Sequence, residues 1–242
     1  MPVHREEVAM LRSISTLVLA LGILCSSIAA AAAQDAESTP TADIASIAAS
    51  VLSANPETLL TGLATPPADD TLPPGFLNPP SGESANADVV EAFILPADGL
   101  TGALGSVSHA FDTDPNVIEG LVSAGVVNFI VSDSEITDEE FSGFELRVAT
   151  SIRDNLQPGM AGDVERIPLA DEEALLISVV LQGSGTVGLV FMVAVPVGNT
   201  IVIGTVVVLS SGGMDSVAVL ENAVLLTLSG VAHLDAVAAN AG

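Results

Sequence analysis

Three short stretches carry residue types that could do chemistry. In LQGSGTVGLVF, residues 181–191, Gly183, Gly185 and Gly188 take the G-x-G-x-x-G spacing with which dinucleotide-binding proteins cradle a pyrophosphate. That cradle works only between a strand and a helix, with an acidic residue about twenty positions on to hold the ribose. Here the glycines run into LVFMVAV, which has strand character, and no Asp or Glu occurs between Glu173 and Asp215. The stretch is therefore read as a turn between two buried strands, and no nucleotide cofactor is expected.

DTDPN, residues 112–116, places Asp112, Asp114 and Asn116 at positions 1, 3 and 5 of a calcium loop. The pattern then breaks, because Val117 stands where the loop needs glycine and Ser123 where it needs a bidentate glutamate. An Asp-Pro-Asn turn explains the same letters. The third stretch, SDSEITDEE, gathers Asp133, Glu135, Asp138, Glu139 and Glu140, part of which is the acidity that favours a helix start. Asp112, Asp114, Asn116, Asp133 and Glu135 are the candidate Ca2+ ligands that the sequence offers.

Histidine catalysis would have to use His109 or His233, because His4 lies in the leader described below. His109 shares a strand face with Val107 and Phe111 and reads as a core or edge histidine, while His233 lies near a C-terminus expected to fray. The chain contains no G-x-S-x-G elbow, no H-E-x-x-H and no other zinc spacing, so neither a serine hydrolase nor a zinc enzyme has a foothold. Paired carboxylates of the glycosidase kind require a separation in space that a sequence does not display.

Composition narrows the classes further. Thirty acidic residues stand against five basic ones, with no Trp and no Tyr, for a net charge of −25. Such a surface repels phosphate backbones and lacks the best base-stacking side chains, so nucleic acid is not an expected partner. Acidity of this degree keeps an otherwise hydrophobic protein in solution. Cys25 is the only cysteine, which leaves stability to packing rather than to disulfides or thiolate metal sites.

The N-terminus holds STLVLALGILCSSIAAAAA, a short apolar run followed by small residues, the pattern of a secretory signal peptide. Translation from Met10 would give the usual positive flank, Arg12 alone. Cleavage after Ala33 would leave 242 − 33 = 209 residues. The expected location is outside the cytoplasm: periplasm, cell surface or medium. Lipidation at Cys25 is disfavoured by the preceding Gly22, Ile23 and Leu24, since such sites take a small residue just before the cysteine.

Behind the leader, residues 34–65 are Ala-rich and hold two short helices. One has an apolar face of Ile44, Ile47, Ala48, Val51 and Leu52, and the other, capped by Asn55 with Pro56 at its first position, carries Leu59, Leu60 and Leu63. Residues 66–88 contain six prolines and read as an extended linker or surface-hugging loop, placing the start of the main domain near Val89. GSVSHAFD and VVNFIVSD then read as strands. Thr137 and Glu140 form a capping box for a helix with Phe141, Phe144, Val148, Ile152 and Leu156 on one face, ended by Pro158 and Gly159, and DVERIPL reads as another strand.

From Ala174 to Met214 no residue is charged. LLISVVLQ, VGLVFMVAV and TIVIGTVVVL are expected as strands because β-branched residues dominate them. The alternative is a transmembrane helix from Gly188 to Leu209, 22 residues long. Asp215 or Ser216 then caps a last helix with a stripe of Val217, Leu220, Val224, Leu228 and Val231.

The order β-β-α-β-β-β-β-α with short turns between late strands defines an α+β fold, a mainly antiparallel sheet with two packed helices. This order is similar to that of PsbP-like domains, an analogy of architecture alone. The functional expectation is an exported, acidic, non-enzymatic binding or accessory protein, its ligand a protein or a small molecule. The alternatives are a membrane-anchored protein using residues 188–209 and a calcium-responsive module.

Overall fold

Strand-favouring β-branched and aromatic residues run through a seven-stranded sheet in the computed structural model, which describes residues 43–80, 84, 86, 94–95, 100–118, 120, 122–183, 185–212 and 214–241. The leader, its cleavage site and Cys25 lie outside the described residues. In chain order the elements are α1 (Ile44–Ser53), α2 (Pro56–Leu63), a 3-10 turn at Asp69–Thr71, β1 (Phe76–Leu77), β2 (Ala103–Thr113), β3 (Val122–Ser132), α3 (Asp138–Asn155), β4 (Met160–Leu169), β5 (Glu172–Gly183), β6 (Thr186–Val197), β7 (Thr200–Ser210) and α4 (Ser216–Ala241). The strands form one antiparallel sheet in the order β1-β2-β3-β7-β6-β5-β4. The fold is α+β, and from β2 onward its elements follow the order read from the sequence.

Residues 188–209 are two strands, which overturns the transmembrane-helix reading of that span. Val197 pairs with Thr200 across a two-residue turn in which Gly198 has φ +63°, the glycine-first geometry that suits a tight hairpin. Asn199 fills the second turn position, buried, its side chain donating to the Ser132 carbonyl at 3.3 Å. β5 and β6 also meet across a two-residue turn: Gly183 pairs with Thr186, and here the glycine with positive φ, Gly185 at +84°, takes the second turn position.

Each face of the sheet carries its own helix. Phe141, Phe144 and Val148 of α3 pack on Leu175, Ile177, Val190, Met192, Ile201 and Ile203. The capping box forms as expected, with the Thr137 side chain accepting from the Glu140 amide and the Glu140 carboxylate accepting from the Thr137 amide at 2.9 Å. On this same face Ala124 and Val126 pack with Ile94, and Asn128 holds the Leu95 carbonyl at 2.9 Å.

The opposite face takes α4, capped by Asp215, whose carboxylate accepts from the amides of Val217 and Ala218. Its buried residues include Val219, Leu220, Ala223, Leu226, Thr227, Gly230, Val231, Leu234 and Ala238. Of the expected stripe, Leu220 and Val231 are buried, whereas Val217, Val224 and Leu228 are only half-buried. The true stripe is rotated toward small residues because α4 crosses the sheet closely. A Cβ on Gly230 would lie 2.8 Å from methyls of Val127 and Val202.

The chain from Thr41 to Gly242 is a single compact unit, so the short helices and the proline-rich stretch pack with the strands. Ile44, Val51, Leu59 and Leu63 of α1 and α2 are fully buried, whereas Leu52, expected on the same apolar face, is exposed. Phe76 of β1 lies over Gly125 of β3, and β1 pairs with Asp112 and Thr113 of β2.

Candidate functional site

The two histidines that the sequence set apart meet in space. His109 projects from β2 on the α4 face, since it pairs with Val127 and shares the parity of Val107 and Phe111. His233 comes from the well-formed middle of the last turns of α4 rather than from a frayed end. Their ring centroids are 6.5 Å apart and nearly perpendicular, and Phe129 of β3 completes a triangle at 6.4 Å from His109 and 5.9 Å from His233.

Both rings point at the end of α2. His109 Nε2 is 2.7 Å from the Leu63 carbonyl and His233 Nε2 is 3.0 Å from the Thr65 carbonyl. A helix leaves its last carbonyls without partners, and these imidazoles supply them. A carbonyl only accepts, so each Nε2 carries the proton, a tautomer assigned from the bond. Burial holds both imidazoles below the ordinary histidine value, against the opposing pull of the carbonyls, and the charge of His109 lowers His233 further. At neutral pH the pair is thus a neutral clasp.

The candidate calcium ligands fall into two separate groups. Asp112 lies on β2 and accepts from the Ser84 hydroxyl at 2.8 Å. Asp114 is in the turn that follows, where its carboxylate takes the Asn116 amide at 2.9 Å and side chain at 2.7 Å, an Asx turn. Asp133 and Glu135 are exposed beyond the end of β3, where the Asp133 amide donates to Gly102 ahead of β2. Ten residues of β2 separate the two ends, roughly 30 Å of extended chain. Among the described residues no three His, Cys, Asp or Glu side chains stand together so as to hold a metal ion.

Gly183, Gly185 and Gly188 sit in the β5–β6 hairpin rather than ahead of a helix. A Cβ on Gly188 would meet Leu209 and Leu181 at 2.6 and 2.8 Å, so this glycine makes room for side chains across the sheet.

Two polar anchors were not visible in the sequence. Arg166 of β4 pairs with Glu145 of α3 and Glu173 of β5, each at 2.9 Å, donates to Ser142 at 2.8 Å and lies 5.7 Å over the Phe141 ring. Asp171, in the β4–β5 turn, accepts from the amides of Ile44 and Ala45 at 3.1 and 3.3 Å and so caps α1 from far along the chain. Only local spacing is legible in a sequence, and both contacts are long-range.

No family model and no curated protein matches the chain. Among solved structures it is similar to a crystal structure of a protein of unknown function, PA94 from Pseudomonas aeruginosa, at 15% identity and a TM-score of 0.32, covering 43% of this chain and 69% of the other.

Proposed function

We propose that this is an exported, acidic binding or accessory protein that works outside the cytoplasm without catalysing a reaction. The observation that carries the reading is the use made of the two histidines. As the general bases of first resort at neutral pH, they are turned inward, each committed through Nε2 to a backbone carbonyl of the α2 end. The signal-like N-terminus supports export, and the excess of acid supports solubility in a crowded exterior. A scaffold closed by packing suits an environment in which the chain has no cysteine pair to rely on.

Fractionation of cells expressing the chain with its own N-terminus tests this reading. It expects the protein outside the cytoplasmic membrane and in the fraction released without detergent. Retention in the cytoplasm, or in membranes after carbonate washing, would overturn it.

A further inference from the structure

α1 and α2 lie on the body of the protein as a strap clasped by side chains at both ends. Asp171 caps the first amides of α1, and His109 and His233 hold the carbonyls of Leu63, the last residue of α2, and of Thr65 just past it. The chain then continues along α4, where Ser229 donates to the Thr71 carbonyl at 2.8 Å. The two clasps differ in kind. One is a single carboxylate on amides, and the other is a pair of imidazoles, the side chain whose charge changes within the physiological range.

From this geometry we propose that the His109–His233 pair is an acid-operated latch, which holds the end of α2 and the segment after it in neutral surroundings and loosens that end when both rings are protonated. Two imidazolium ions with centroids 6.5 Å apart repel across a partly buried gap, where the interaction is far stronger than in water. A single added charge would be welcome at a helix C-terminus, so the second proton makes the switch. Burial, which lowers both rings, and the charge of His109, which lowers His233, act in this same sense. The titratable groups on the elements around the pair are Glu57 on α2, Asp69 and Asp70 in the 3-10 turn, Asp112 on β2, and Glu221 and Asp235 on α4. Phe129, the β3 residue between the rings, is apolar. The apolar anchors Leu59 and Leu63 keep the strap on the body, which confines the loosening to the α2 end.

Hydrogen exchange on the purified protein, expressed as protection factors so that the intrinsic pH dependence cancels, tests the latch. Between pH 7.5 and 5.0, the hydrogen-bonded amides at the end of α2 and after it, those of Leu63, Thr65, Thr71 and Leu72, should lose about tenfold or more in protection while those of β5–β7 keep theirs. H109Q/H233Q, whose amide side chains can still donate but do not titrate, should show no such pH-dependent difference. Proton NMR of the histidine rings gives a second reading without any variant, with both titrating below about 6.5. Equal loss in the double variant, uniform loss across the sheet, or rings that titrate at the ordinary value would each overturn the proposal.

Discussion

Gly204 of β7 lies directly beneath Thr227 of α4. A Cβ at position 204 would stand 2.6 Å from the Thr227 amide nitrogen and 2.9 Å from the Ala223 carbonyl oxygen, both helix backbone. Neither can step aside as a side-chain end could. The Thr227 hydroxyl also spans the gap, donating toward Val193 at 3.2 Å and Ala223 at 2.8 Å. Gly204→Ala should therefore cost about 1–3 kcal/mol through overpacking, roughly 2–12 °C in midpoint for a domain of this size. A thermal melt checks this, and an unchanged midpoint would contradict the close crossing of α4.

The β4–β5 turn gives a pair of opposite expectations. Ala170 has φ +54°, a left-handed conformation that costs a non-glycine residue about 1–2 kcal/mol. Ala170→Gly should thus be neutral or stabilising by up to about 1 kcal/mol, although the same change usually destabilises. Asp171→Ala should cost about 0.5–1 kcal/mol by freeing the Ile44 and Ala45 amides, while Asp43 still caps α1 through the Ser46 amide. Urea midpoints of the two variants check both signs.

Phe76 is a buried plug at the edge of the sheet, 3% exposed. Phe76→Ala should cost on the order of 3–5 kcal/mol, measured by urea unfolding. A loss within about 0.5 kcal/mol would mean that the proline-rich stretch is not packed on β3.

Both histidines bind a proton less readily folded than unfolded. Below about pH 6.5 the unfolded chain then holds more protons, so their contribution is fully present above that value and is lost as pH falls through it toward the lower folded values. Global stability should drop from pH 8 to pH 5.5 in the wild type and drop less in H109Q/H233Q. Equal slopes in the two proteins would contradict the assignment.

Calcium should leave the melting midpoint where matched ionic strength leaves it, because Asp112 and Asp114 stand at one end of the β2–β3 hairpin and Asp133 and Glu135 at the other. A site saturated a hundredfold above its Kd would add about 2.7 kcal/mol. A shift of that size, absent in D112N/D114N, would show that one acidic group binds the ion by itself.

Legibility in the sequence followed the range of the interaction. The Thr137–Glu140 box and the turn at Gly185 depend on neighbours within a few residues, and both formed where the spacing placed them. The uncharged run from Ala174 resolved into strands because β-branched residues fill it. β1 was hidden because two residues display no period, and the stripe of α4 was misplaced because a close helix-on-sheet crossing buries Ala223, Thr227 and Gly230 in preference to larger residues. The histidine clasp joins β2, α2 and α4, and no spacing rule connects residues so far apart.

Export is the central claim, and the mass of the mature protein tests it most directly. Intact-mass measurement and N-terminal sequencing of protein recovered from outside the cytoplasm should give a chain that begins at Gln34 and carries no lipid. A recovered chain that still contains residues 1–33, or one found only in the cytoplasm at full length, would contradict the account.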